Sequence, residues 1–327
     1  MKVLLAHEAY VLSPQQFSEG LKVYSRNPFS PLFDPSIFGI TALITICVIA
    51  AYLLNLFWST TSKASKLDGF VKKAEILGPF IIRIAIGSSL FFSALSNVIF
   101  GPELRLSLVP GGEIIRILLF ATSFMFFLGF LTELAAILGV LMFLYVGFTN
   151  FGLYMVTYFN YLGELIVLSL FGLRFVSVDR VLFGTRTFLK KLEKFKYLET
   201  PIVRVMYGIA LIYAGVSIKF IHQGLSILVY NEYHLRQFFH APASFIAAGA
   251  GLSEVLIGLF IVLGLGQRLT IIISLIFITL SLLYFRELVW PHFMLYGISL
   301  SLIINSADRF TIDSKLVPFA RSLIRKL

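Results

Sequence analysis

Two glutamates stand in runs that carry no other charge. Glu254 lies halfway along "ASFIAAGAGLSEVLIGLFIVL" (243–263), and Glu164 near the middle of "YMVTYFNYLGELIVLSLFGL" (154–173). An ionised acid at the centre of a membrane helix costs about 2.5–3.5 kcal/mol on insertion scales. Each glutamate must therefore hold a proton, pair with a cation, or face a polar cavity. If the two share a cavity, one holds a proton at neutral pH, since like charges at close range cannot both persist. Such an acid can relay protons or donate a hydrogen bond to a carbonyl. The structural alternative is a neutral glutamate that ties two helices together through a backbone carbonyl or hydroxyl. These two residues are the candidate catalytic groups.

A second set of polar residues collects near chain segments that flank the apolar runs. His222, His234, His240 and His292 are joined there by Lys219, Arg236 and Glu287. They form the candidate ligand-binding set. Imidazole with carboxylate suits a divalent transition metal, but no tight ligand spacing such as HExxH is present, and the metal stays undefined. The same groups could hydrogen-bond the carbonyls of a quinone headgroup, dock a partner, or simply populate a membrane interface. Lys219, near the end of its run, could equally snorkel to the headgroups. His7 sits in an outer segment, 1–37, that carries no motif beyond a helix start at Ser13-Pro14 and could cover the mouth of a bundle.

The elements that position these residues are set by the solvent. Of 327 residues, 58% are hydrophobic and 13% charged, with a mean hydropathy of +0.91. Soluble domains carry about 25% charged residues, so this is an integral membrane protein. Nine apolar runs reach the length that a bilayer core of about 30 Å requires: 38–58, 77–100, 114–131, 134–151, 154–173, 202–221, 243–263, 269–285 and 288–305. The expected fold is all-α, with about nine transmembrane helices. The pairs 114–131/134–151 and 269–285/288–305 are so closely joined that each must be a tight hairpin.

Lysine and arginine orient the chain. They concentrate in 59–76, in 177–201 and in the tail, which nine crossings place on one side. The N-terminus is then outside and the C-terminus cytoplasmic, in a multi-pass cell membrane protein. The net charge of +10 is explained as topology, and no nucleic-acid partner is expected. "RTFLKKLEKFKYLE" (186–199) and "SKLVPFARSLIRKL" (314–327) are amphipathic and basic, as interfacial helices are. The polar segment 1–34 lacks the order of a cleavable signal peptide. The single cysteine, Cys47, excludes an internal disulfide or a CxxC pair.

Part of the chain repeats. "RIAIGSSLFFSALS" (83–96) aligns with "RVMYGIALIYAGVS" (204–217), "FFLGFLTELAAIL" (126–138) with "IVLGLGQRLTIII" (261–273), and "RFVSVD" (174–179) with "RFTID" (309–313). A leading helix (38–58) and a basic linker (59–76) precede two four-helix units, 77–180 and 201–313. A second basic linker (181–200) joins the units, and a basic tail (314–327) ends the chain. The arrangement is 1 + 4 + 4, and an even helix number makes the repeat parallel rather than inverted.

Over about 75–327 the chain resembles the DoxX-like membrane proteins, the second unit more fully than the first. Arg204, Gly208, Gly215 and Lys219 match the pattern of that family's first helix. Glu254, Gly258, Gly264 and Arg268 match its second, and "GLRFVSVD" (172–179) approximates its closing sequence. The first unit is degenerate: Leu119 stands where Glu254 stands, and Val98 where Lys219 stands. The resemblance implies a four-helix bundle and a link to redox chemistry, either as a quinone-reactive membrane subunit or as the membrane partner of a soluble extracytoplasmic redox enzyme. Glu254 would then protonate or hydrogen-bond a quinone taken from the lipid bilayer. A proton or small-solute transporter and a non-enzymatic scaffold are the alternatives from other classes.

Overall fold

The computed structural model describes residues 35–172, 176–184, 190–305 and 308–324, with Leu12, Gln16, Glu19, Gly20 and Lys22 of the amino-terminal segment. His7, the Ser13-Pro14 helix start, Arg174 and Arg186 lie outside the described residues. The chain forms α1 (Pro35–Ser59), α2 (Ser62–Lys72), α3 (Gly78–Leu95), α4 (Gly112–Leu128), α5 (Thr132–Val146), α6 (Phe159–Phe171) and α7 (Val178–Phe183). After these come α8 (Glu199–Ala214), α9 (Gln223–Glu232), α10 (Ala243–Leu263), α11 (Gln267–Phe285), α12 (His292–Ile304) and α13 (Asp313–Ile324).

Each of the nine apolar runs carries a helix, and six helical stretches are long and apolar enough to cross a membrane: Thr41–Ser59, Ser62–Leu95, Thr132–Phe171, Lys194–Ile221, Ala243–Leu263 and Gln267–Phe285. Three departures from the expected boundaries have local causes. The run 77–100 ends its helix at Leu95, because Asn97 and Phe100 take positive φ and open a short ribbon, β1 (Val98–Ile99) with antiparallel β2 (Gly101–Arg105). The fold is all-α as expected, with this one small β-ribbon in a connection. The run 154–173 begins as a 3-10 stretch, Gly152–Tyr158, after a π turn at Gly147–Phe151. The run 288–305 becomes helical only at His292, because Arg286 is left-handed and Pro291 caps the new helix. The basic stretch of the second linker is a 3-10 segment, Lys190–Leu198, rather than a full amphipathic α-helix.

Helices α3, α4, α5, α6, α8, α10, α11 and α12 pack in that order around a closed ring. Its two seams join the halves: α6 lies on α8, and α12 returns to α3. The first helix of each half therefore meets the fourth helix of the other. Tight turns shape the ring. α4 and α10 both end on a left-handed glycine, Gly129 (φ 62°) and Gly264 (φ 65°), where a side chain would be strained.

Both turns are held by an aspartate that accepts from turn amides, with a buried arginine nearby. Arg83 donates to the Val176 carbonyl, and Asp179 accepts from the amides of Leu131 and Thr132. Arg204 donates to Asp308 at 2.9 Å and to the carbonyls of Ile261 and Val262. Asp313 accepts from the Gly266 amide at 2.7 Å and from the Tyr52 hydroxyl at 2.8 Å. Burial pushes the Asp313 carboxyl above the usual carboxylate range, against the pull of these two bonds. Arg83 and Arg204 are 1% and 2% exposed. Arg204 caps the end of α10 inside the protein, because bare helix-end carbonyls need donors where water is scarce, while Arg83 satisfies a loop carbonyl.

Helix α1 stands apart, with Phe38, Ile46, Leu54 and Phe57 all exposed. It touches the second half through Tyr52, whose ring meets Phe260 of α10 edge-on, and through α13.

Candidate functional site

A partly open cavity of about 630 Å³, within the range of small-molecule sites, lies mainly among the helices of the second half. Its walls are mostly aliphatic and aromatic side chains of α8 to α12, with two ion pairs set into them.

The first pair is made by a close helix crossing. Past Ala214, α8 widens into a π turn, Gly215–Ile221, that carries Lys219. A Cβ on Gly215 would come within 3.0 Å of the Gly251 carbonyl and 3.1 Å of Glu254 Cβ, and one on Gly251 would come within 2.9 Å of Lys219 Cβ. Small residues thus let the two backbones approach, as in other membrane helix pairs. The consequence is that Lys219 Nζ reaches 3.2 Å from Glu254 Oε1, each side chain 15% exposed. The buried acid is paired rather than isolated, and the pair faces the cavity.

The second pair is built by the turn between α11 and α12. Left-handed Arg286 ends α11 and aims Glu287 inward. Glu287 Oε1 accepts from Ser281 Oγ at 2.7 Å, and Oε2 lies 3.0 Å from His292 Nε2. His292 Nδ1 is 2.8 Å from the Leu288 carbonyl. A carbonyl can only accept, so Nδ1 carries a proton. One further proton is then shared across the Nε2–Oε2 contact, either on the imidazole or on the carboxyl. Both side chains are under 10% exposed. The pair lies in the cavity wall.

Hydroxyls complete the lining. Tyr207 is fully buried, with Ser274 Oγ at 3.2 Å and Ser299 Oγ at 3.5 Å. Tyr158 and Tyr161 enter from the first half, Tyr158 backed by the buried Glu103 and Tyr161 by Ser89. Tyr230 anchors the following loop by donating to the carbonyls of Phe239 (3.1 Å) and Ala241 (2.7 Å). Sequence reading missed these tyrosines. The only signal was their density in otherwise aliphatic runs, which an interfacial aromatic belt explains as readily.

Of the candidate residues, Lys219, Glu254, Glu287 and His292 come together around the cavity. The loop carrying His234, Arg236 and His240 places Leu235, Phe238 and Phe239 at the rim of the cavity, with both phenylalanines still exposed, and leaves those three polar side chains exposed outside the lining. His222 ends the π turn, outside the lining. Glu164 does not share the cavity with Glu254; it lies in a separate small pocket with Glu199. Among the described residues no three His, Cys, Asp or Glu side chains gather as metal ligands. Gln16 and Gly20, two of the described residues before α1, lie against α9. Gln16 donates to Glu232 at 2.9 Å, and a Cβ on Gly20 would meet Leu225 and Leu228, while Ser226, Val229 and Tyr230 of the same helix line the cavity.

No curated protein and no solved structure matches the chain. A family model described as DoxX matches residues 200–287. That stretch runs from α8 through α11 and holds Lys219, Glu254 and Glu287. The chain is thus similar to DoxX proteins over residues 200–287, which lie in its second half.

Proposed function

We propose that the protein is a quinone-binding, redox-linked membrane subunit. The observation that carries this reading is an apolar cavity with a Lys–Glu pair and a His–Glu pair in its wall. An isoprenoid quinone needs that combination: a dry slot for ring and tail, and two sources of hydrogen bonds for the carbonyls. Lys219 and His292 supply donors, and Glu254 and Glu287 hold or return protons. Tyr207 and Tyr161 add hydroxyls within reach of a ring. The bound quinone would supply two-electron, two-proton chemistry; the protein's part is to bind it, exclude water and hold the protons. The residues present fit that ligand in volume and in donor set.

The same reading places the chain in the cell membrane with nine crossings. The stretch Thr132–Phe171 spans 40 residues, or about 60 Å as a helix, twice the bilayer core. Its break at Gly147–Tyr158 supports two crossings. The recurring Arg and Asp turn contacts support two fused DoxX-like units, the second holding the site and the first bracing it. With nine crossings the basic segments face the cytoplasm and an extracytoplasmic redox partner would meet the opposite face.

Native mass spectrometry of the gently purified protein, with its organic extract assayed for quinones, tests the proposal. A stoichiometric quinone that is lost in Glu254→Gln is the expected result. Phospholipid alone in the wild-type protein, with no binding of added short-chain quinone, would overturn it.

A further inference from the structure

Glu164 on α6 is fully buried, and neither of its carboxyl oxygens has a hydrogen-bond partner among the described residues. It opens into a pocket of about 10 Å³ where α3, α6, α8 and α12 converge, lined by Ile82, Val203, Glu199, Thr200, Ser301 and Asn305 among others. That volume is close to what one ordered water needs, and the polar groups around it are the partners a water requires. Glu199 is the one other charged side chain in this lining. It sits half-buried at the start of α8, directly after the basic segment Lys190–Leu198. It therefore borders both the basic end of the bundle and the pocket.

The pocket also points the other way. Asn160, one turn from Glu164 on the same face of α6, lines the large cavity, and its Oδ1 has no partner among the described residues. Across the seam, Val203 of α8 lines the small pocket, and Tyr207, one turn on, lines the large one. The two spaces are stacked along the groove between α6 and α8, about one helical turn (~5.4 Å) apart.

We propose that Glu199, a bound water and Glu164 form a proton path from the basic end of the bundle to the cavity. The Glu199 carboxylic acid gives its proton to the water oxygen as that water gives one of its own to the Glu164 carboxylate. Glu199 is then reprotonated from bulk water, and only O–H bonds form and break. Asn160 orients the onward transfer with its amide. The use of the proton in the cavity rests on the quinone reading, but the path does not.

The test is infrared spectroscopy of the purified wild-type protein transferred from H₂O to D₂O, with no added ligand. We expect a buried carboxylic-acid C=O band at neutral pH that is absent in Glu164→Gln. Glu199→Gln should keep the band but slow its deuterium exchange by ~100-fold, the range a positioned proton-transfer group contributes. Glu164→Asp, which keeps the acid, should retain a shifted band and reports on the site if the glutamine variant does not fold. A band indifferent to both Glu164 substitutions, or wild-type exchange in Glu199→Gln, would overturn the path. Neither outcome bears on whether quinone binds.

Discussion

Lys219 and Glu254, separated by 35 positions in the chain, form an ion pair at 3.2 Å because Gly215 and Gly251 let α8 and α10 cross in near-backbone contact. Removing one member of a buried pair leaves an uncompensated charge, which costs about 3–5 kcal/mol, while replacing both with apolar residues can be nearly neutral. We expect Lys219→Met to lower thermal stability in detergent more than the Lys219→Met/Glu254→Leu double variant does. Equal losses in the single and double variants would show that the pair is not coupled.

The crossing itself can be tested without touching a charge. Gly215→Val adds bulk where even a Cβ would sit 3.0–3.1 Å from its neighbours. Overpacking of this kind costs about 1–3 kcal/mol. Thermal unfolding should show that loss, and quinone affinity should fall with it. Gly249→Val, on the facing helix α10 with nothing near its Cβ, is the control and should leave both nearly unchanged.

His292 and Glu287 lie 3.0 Å apart in the cavity wall, so variants that break this contact should act on the ligand more than on the fold. His292→Asn is expected to weaken short-chain quinone binding about tenfold, the worth of one hydrogen bond to a charged group. Tryptophan fluorescence titration reads this out, since Trp290 is buried beside His292 in the chain. Unchanged affinity would remove the pair from the binding site.

Arg204 holds Asp308 and two carbonyls at the end of α10. Arg204→Met should cost about 3–5 kcal/mol, the range for breaking a buried pair. The same change at Arg236, an exposed arginine of the cavity loop, should cost under about 0.5 kcal/mol, as surface changes do. Thermal unfolding of the two variants compares them directly.

Hydropathy and glycine spacing determine much of this protein by themselves. Lipid has no hydrogen-bonding capacity, so each long apolar run must close its backbone bonds as a helix. The positions of the helices, the two glycine-ended turns and the isolation of Glu254 are therefore local properties that can be read along the chain. Even the partner of Glu254 was within reach, since Lys219 and Glu254 belong to one recognisable pattern.

The ring order was not legible, because packing between membrane helices depends on side-chain fit around the whole bundle and leaves no period in one helix's sequence. It is this order that brings Tyr158 and Tyr161 of the first half to the cavity and keeps Glu164 out of it. Two midplane glutamates look alike in sequence. Only the rotation of α6 and α10 in the ring decides that one meets a lysine and the other a buried pocket shared with Glu199. The loop 233–242 makes the same point on a smaller scale. Composition offered its histidines and Arg236 as ligands, but the folded loop leaves all three exposed and brings Leu235, Phe238 and Phe239 to the rim of the cavity instead.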